Sequence, residues 1–257
     1  MGSEPTTTCP FDLCDGSGYV KNEEGYPEAE CECQGRSKDE IEHQRKKNRK
    51  ARLKRAAIPP RYDDMCFDTF ELEGKHDTQR YAYKAAKRYV DVWPEPLERG
   101  FGIYFSGKSG IGKSHLAVSI VRDVVLKYDV KAYVLPMNRF IRRLKPKNNN
   151  EHEAFESKLF NVELLLLEDV GGRGRQTEWV TEKMNSVIEE RYLNELPTIF
   201  TSNRTRDELK KLERICPGWV PLVSRLKGVT FEIPMEGESM REFDIESLGK
   251  GAGNDDG

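Results

Sequence analysis

Residues 105–115 read Phe-Ser-Gly-Lys-Ser-Gly-Ile-Gly-Lys-Ser-His. Gly107, four residues, then Gly112-Lys113-Ser114 fits the phosphate-binding loop pattern. Glycine lets the backbone adopt conformations that a β-carbon forbids and come close to an anion. Successive backbone N–H groups then point at phosphate oxygens from the positive end of a helix. The contact stretch is Gly107, Lys108, Ser109, Gly110, Ile111, Gly112, Lys113, Ser114 and His115. Lys113 supplies charge for the β- and γ-phosphates, and Ser114 a hydroxyl for Mg²⁺. Downstream, the apolar run Val162-Glu-Leu-Leu-Leu-Leu ends in Glu168 and Asp169. An acid at such a strand end holds Mg²⁺, usually through water, and its neighbour can polarise the attacking water. Asn203, at the tip of Leu196-Pro-Thr-Ile-Phe-Thr-Ser-Asn203, would reach toward the terminal phosphate and that water. Singly, these are a Gly-rich turn, a capping acid pair and a turn former. Together, in this order, they imply Mg²⁺-dependent hydrolysis of a nucleoside triphosphate.

Another constellation lies at the start. Four of the six cysteines, Cys9, Cys14, Cys31 and Cys33, fall within residues 1–35, among Gly, Pro, Asp and Glu. Such a segment cannot build an apolar core, and tetrahedral thiolate–zinc coordination would supply the missing folding energy. Cys14-Asp-Gly-Ser-Gly-Tyr has the composition of a knuckle turn. The Cys-x4-Cys and Cys-x-Cys spacings depart from paired Cys-x-x-Cys, so free thiols or a redox pair stay open.

The phosphate loop needs a strand before it and a helix after it. Residues 101–106 read as a buried strand, and Leu116, Ala117, Ile120, Val121 and Val124 follow at helical spacing. Further strands are expected at 131–136, 162–168, 196–203 and 228–234. Helices are expected at 77–93, 137–144, 151–160, 177–194, 205–213 and 219–227. Pro94 and Pro96 end the first of these. Residues 57–76 read as an extended leading segment that docks Phe67 and Phe70, with Cys66 as a buried apolar filler. Tyr81 and Tyr83 are better placed in packing than in base stacking. Residues 36–56 are a helical charge run centred on Arg45–Arg55, stopped by Pro59-Pro60. It is either a solvated connector or a contact for phosphate backbone. The break Lys145–Asn150 reads as a polar loop, which with Arg142, Arg143, Lys145 and Lys147 could face DNA.

With 257 residues the chain is long enough for one α/β domain and an appendage. Net charge is −2, so nucleic-acid contact must come from local patches. No apolar run nears membrane-spanning length and no signal-peptide core is present, so no membrane contact and a cytoplasmic location are expected.

The order of phosphate loop, acid-tipped strand, Thr201-Ser-Asn203 and Val223-Ser-Arg-Leu-Lys-Gly228 is distinctive. With Ile58-Pro-Pro-Arg-Tyr62 and the cysteines before it, this resembles the DnaC/DnaI-type helicase loaders of the AAA+ ATPases, in phage or mobile-element versions. The related IstB transposition helpers share the core. The resemblance covers residues 57–241. It implies an α/β AAA+ P-loop NTPase fold, a central parallel sheet flanked by helices, preceded by a small cysteine-rich zinc-binding module. It also implies catalytic Lys113, Glu168, Asp169, Asn203 (sensor one) and Arg225, the last an arginine finger offered to a neighbouring subunit. Two departures stand out: Glu168-Asp169 in place of Asp-Asp, and the flexible, basic Gly171-Gly-Arg-Gly-Arg175, expected near DNA or the neighbouring site.

The expected organisation is a zinc module at 1–35, a basic helical linker at 36–56, the ATPase domain at 57–246 and a disordered tail at 247–257. The expected cofactors are ATP, Mg²⁺ on Ser114 and Glu168, and structural Zn²⁺ on Cys9, Cys14, Cys31 and Cys33. The expected partners are a hexameric DnaB-type replicative helicase, single-stranded DNA and further copies of the chain in the ATP-bound state. Rival readings are an IstB-like transposition helper and a nucleotide-gated adaptor with little hydrolysis. If the 45–55 charge run contacts DNA phosphates, binding falls steeply between low and physiological salt. A flat salt titration would leave that run a solvated connector.

Overall fold

The computed structural model describes residues 9, 13–14, 17–23, 27–144, 149–172 and 177–240. Lys145, Lys147, Arg173, Arg175 and the 247–257 tail lie outside the described residues, as does part of the Cys14–Tyr19 turn. The chain divides into two compact units, Met1–Lys54 and Arg55–Gly257.

In the first unit, strands β1 (Tyr19–Lys21) and β2 (Pro27–Glu30) form an antiparallel hairpin. Its side chains are largely exposed. The apolar interior is the cysteine group, with Val20 and Ile41 packed against it. Helix α1 (Lys38–Arg55), dominated by charged and polar residues, buries none of its residues fully.

The second unit opens with two 3₁₀ turns, Pro60–Tyr62 and Phe67–Thr69, in place of the extended path expected for 57–76. Pro60 presets the first turn, and Asp63 N–H closes it on Pro60 O. Phe67 and Phe70 are buried as expected, stacked around Tyr83. Cys66 is only half-buried, because it starts the second turn and its N–H donates to Thr69 Oγ1. The elements that follow are α2 (Asp77–Asp91), α3 (Pro94–Arg99), β3 (Gly102–Gly107) and α4 (Lys113–Tyr128). Next come β4 (Ala132–Pro136), α5 (Met137–Leu144), α6 (Asn149–Asn161), β5 (Leu164–Glu168) and α7 (Glu178–Leu193). The last are β6 (Thr198–Ser202), α8 (Arg206–Lys210), α9 (Trp219–Val229) and β7 (Thr230–Met235). Pro94 opens α3 as well as ending α2, since a missing N–H costs nothing at a helix start. The expected 205–213 helix is α8 followed by a 3₁₀ turn. Gly228 and Val229 belong to α9, whose end is fixed by Thr230 Oγ1 donating to Leu226 O at 2.6 Å.

Five strands pair in parallel in the order β4-β5-β6-β3-β7. The all-leucine run makes β5 a strand buried on both faces. Tyr104, Leu135, Leu165, Leu167 and Phe200 pack into one cluster with α5, α6, α7 and α9. Ile103, Phe105, Val134, Leu166 and Ile199 are buried as well, and α4 packs along β3 to β6. Helix α4, backed by α2, is therefore apolar on nearly every side. Tyr192 on α7 is exposed. Tyr81 is exposed too, while Tyr83 is in the aromatic packing expected of it.

One buried cation holds the far edge of this sheet. Arg191 on α7 is 1% exposed. Its guanidinium donates to Thr198 Oγ1, Leu159 O, Val162 O and Pro197 O at 2.7–2.8 Å. It thus ties the end of α6 to the starts of β5 and β6. Burial pulls its pKa down to about 9, still above neutrality, so it stays charged. Arg191→Met is expected to leave the Leu159 and Val162 carbonyls without donors, with Pro197 O keeping only the Leu165 N–H at 3.4 Å, and to cost about 2–5 kcal/mol. Chemical denaturation measures this; a loss below about 1 kcal/mol would show that the carbonyls find water instead.

Candidate functional site

Because the strands are parallel, the loops after β3, β5 and β6 emerge at one edge of the sheet, where α/β folds bind ligands. The register pairs Ser106 with Ser202 and Leu167 with Phe200, so Gly107 follows beside Asn203 and Glu168 beside Thr201. Glu168, Thr201 and Asn203 line a cleft of about 440 Å³ with Gly110, Gly112, Lys113, Ser114, His115 and Asp169. Gly107, Gly110 and Gly112 have φ of 136°, 90° and 96°, the conformations the glycine pattern requires.

Lys113, the first residue of α4, is 7% exposed. Its Nζ donates to Gly107 O at 2.7 Å, Lys108 O at 2.5 Å and Asn203 Oδ1 at 3.1 Å. The other end of the Asn203 amide donates to Asp169 Oδ1 at 3.4 Å. Asn203 therefore bridges the cation and one acid. Asp169 sits at φ 60°, steadied by its N–H donating to Thr201 Oγ1 at 3.1 Å. Val170 N–H donates to Thr201 O, and Ser202 Oγ to Val170 O, so the two strand tips move as one piece.

Glu168 is 2% exposed, and neither carboxyl oxygen accepts a hydrogen bond of ordinary geometry. Burial raises its pKa. The Ser114 and Tyr62 hydroxyls and the Arg61 charge pull the other way, while Asp169 adds to the rise. Two buried oxygens without donors, facing the Ser114 hydroxyl, form a donor set that suits a hard divalent cation such as Mg²⁺. The His115 ring packs against the 57–76 segment. Its Nε2 lies 2.8 Å from Cys66 O and 3.2 Å from Thr69 Oγ1, and its ring meets Phe70 edge-on. Burial lowers its pKa, so it stays neutral at pH 7; the Cys66 carbonyl opposes the shift.

Arg225 is not in this cleft. It lies on α9, where NH2 donates to Glu189 Oε1 at 2.7 Å, beside Tyr192 and Ser224. Arg61, Tyr62, Met137 and Met240 line the cleft without having been assigned to it from sequence. Arg61 and Tyr62 stood in the distinctive Ile58–Tyr62 string; nothing in the sequence pointed to Met240. Arg142 and Arg143 are exposed on α5, with Arg143 stacked 5.3 Å from the Phe155 ring.

In the first unit the sulfurs of Cys9, Cys14, Cys31 and Cys33 all lie within 4.8 Å of one another, with pairs at 3.7 and 3.4 Å. Tetrahedral zinc–thiolate bonds of about 2.3 Å place sulfurs about 3.8 Å apart, so the group could hold such a metal. For Cys31, the Cys33 backbone N–H pulls the thiol down. Burial and the neighbouring thiols outweigh it and hold the pKa at about 12. Burial likewise raises Cys33. No helix among the described residues is long and apolar enough to cross a membrane.

The family described as the bacterial DnaA ATPase domain matches residues 62–219. The chain is 30% identical to the uncharacterized protein YqaM of Bacillus subtilis over 72% of its own length and 57% of that protein. It is 33% identical to the replicative helicase loader DnaI of the same organism over 57% of its length and 47% of DnaI. The chain thus spans about half the length of these curated relatives. The crystal structure of the DnaC helicase loader superposes with a TM-score of 0.61 at 26% identity, over 69% of this chain and all of that one. The five-stranded parallel sheet with flanking helices is that of these AAA+ relatives. The chain belongs to the bacterial DnaA ATPase-domain family, and within it is of the DnaC/DnaI type.

Proposed function

We propose that the chain is an ATP-dependent loader of a replicative helicase. The observation that carries this is the Asn203 amide, held between Lys113 and Asp169 at the strand tips. A γ-phosphate bound at Lys113 would compete with the amide oxygen for the ammonium, so the loops after β5 and β6 would register its presence. In this reading residues 107–115 cradle the phosphates of ATP, and Lys113 neutralises them. Ser114 and Glu168 would hold Mg²⁺, which when bound offsets charge on the β- and γ-phosphates. Asp169 orients the attacking water, and Asn203 reports the terminal phosphate.

Arg225 lies outside its own cleft, paired with Glu189, which suits a group that serves the γ-phosphate of a neighbouring copy. The working form is then a homo-oligomer assembled with ATP, binding single-stranded DNA. Hydrolysis weakens the assembly and releases the helicase. The cysteine unit, holding Zn²⁺, would grip the helicase, and the ATPase domain would begin near residue 57. The similarity to DnaI and DnaC supports the partner.

The test is an ATPase assay with and without single-stranded DNA and the host's hexameric helicase, paired with helicase pull-downs in ATP and ADP. Lys113→Ala should abolish nucleotide binding. Arg225→Ala should keep nucleotide binding and lower turnover by about 10³-fold or more. Normal turnover by the Arg225 variant would remove the shared site. No helicase capture in either nucleotide would overturn the loader reading, and capture without turnover would favour the adaptor reading.

Zinc makes a separate prediction. Metal analysis should find one zinc per chain, lost in Cys31→Ser. Chelation should end helicase capture while nucleotide binding persists. A metal-free preparation that still captures helicase would make the cysteine group a thiol cluster only.

A further inference from the structure

β7 ends at Met235, and the five residues after it cross the outer side of the phosphate loop. Thr78 pins the start of this crossing. Glu236 N–H donates to Thr78 Oγ1 at 2.8 Å, and that hydroxyl lies 3.3 Å from Glu236 O. Met240 N–H pins the end by donating to Gly110 O at 2.8 Å. Between the pins the fit is close. A β-carbon on Gly110 would lie 2.1 Å from Ser239 Oγ, and one on Gly112 would lie 2.6 Å from the Phe70 ring and 3.1 Å from Met240 sulfur. Gln79, 1% exposed, completes the brace: Nε2 donates to Ile111 O at 3.1 Å, and Oε1 accepts His76 N–H at 2.9 Å. The carbonyls of Gly110 and Ile111 are thus held by groups outside the loop.

Met240 also borders two cavities. One is the 440 Å³ cleft with Lys113 and Glu168; the other, of about 610 Å³, is lined by Thr69, Glu71, Lys75, His76 and Gln79. The first is polar and offers phosphate donors. The second is lined by an imidazole, His76, and by both signs of charge, Glu71 and Lys75, groups that can hydrogen-bond a base and ribose.

We propose that Glu236–Met240 is a strap that braces the phosphate loop, and that Met240 is a positioning residue for the nucleoside. Its side chain forms the wall between the phosphate cleft and the cavity that takes base and ribose. The inference rests on the nucleotide reading above. On it, Met240 contributes binding that is uniform along the reaction, through apolar contact with the nucleoside.

The test uses the full chain and its Met240→Ala, Met240→Leu and Thr78→Val variants. Steady-state ATPase, titrations with ATP and ADP, and titration with inorganic tripolyphosphate are measured on each. Met240→Ala should weaken ATP and ADP by about tenfold alike, with KM rising by about the same factor and kcat falling less than about threefold. Tripolyphosphate, which has no nucleoside, should bind as before. Met240→Leu should restore nucleotide affinity, and Thr78→Val, which frees the strap, should weaken nucleotides in the same pattern. Unchanged nucleotide affinity in Met240→Ala, or equal weakening of tripolyphosphate, would overturn the positioning role. Failure of the unaltered chain to bind either nucleotide or tripolyphosphate would instead remove the nucleotide reading itself.

Discussion

A buried ammonium at the edge of a parallel sheet has to be matched by acceptors. Removing such a charge from water costs several kcal/mol unless hydrogen bonds replace its hydration. Lys113 meets this demand with two loop carbonyls and the Asn203 amide oxygen. That choice shapes the rest of the site. The carbonyls of Gly107 and Lys108 turn toward Nζ only because the loop glycines accept positive φ. The amide, having given its oxygen to the cation, has its nitrogen left for Asp169. An aspartate at position 203 would pair with Lys113 directly and repel Asp169. A neutral amide passes polarity between them while leaving the lysine charge available to an incoming anion.

The parts of this arrangement that sequence reveals are those encoded by neighbours. The glycine spacing of residues 107–114, the leucine run of β5 and the strand before Asn203 are local patterns, and each lands where its periodicity places it. The four cysteines converge despite their irregular spacing. The failures come from contacts between distant segments. Residues 57–76 turn rather than extend because Cys66 O and Thr69 must meet His115, nearly fifty positions on. Gln79, Arg191 and Met240 carry no local signature; each is recognisable only once the sheet has fixed the carbonyls it faces.

The acid pair shows how one methylene can matter. Glu168 ends β5, an interior strand buried along its whole length, and its carboxyl stays within that enclosure at 2% exposure. Burial raises its pKa, and the hydroxyls of Ser114 and Tyr62 with the charge of Arg61 counter only part of the effect. The carboxyl is held without donors in a place where a cation would be welcome. Asp169, one residue on, lies in the left-handed region and reaches out to the Asn203 amide. Two adjacent acids thus sit in different environments, one enclosed and one at the mouth. This is the division that the proposed roles of metal ligand and water-orienting base require.

The position of Arg225 fits the same economy. An ion pair with both partners partly in water contributes on the order of 0–1 kcal/mol, and the Glu189 carboxylate is half exposed. Such a pair keeps a long side chain extended on the outer surface of α9 without committing it. Transfer of the guanidinium to a phosphate of a neighbouring copy would exchange one anion for another of higher charge in a drier place, where hydrogen bonds to charge are stronger. Nothing in the fold would have to strain for this to happen. A shared site built this way would respond to the γ-phosphate through the difference between those two anions, and the nucleotide would then control assembly through electrostatics rather than through refolding.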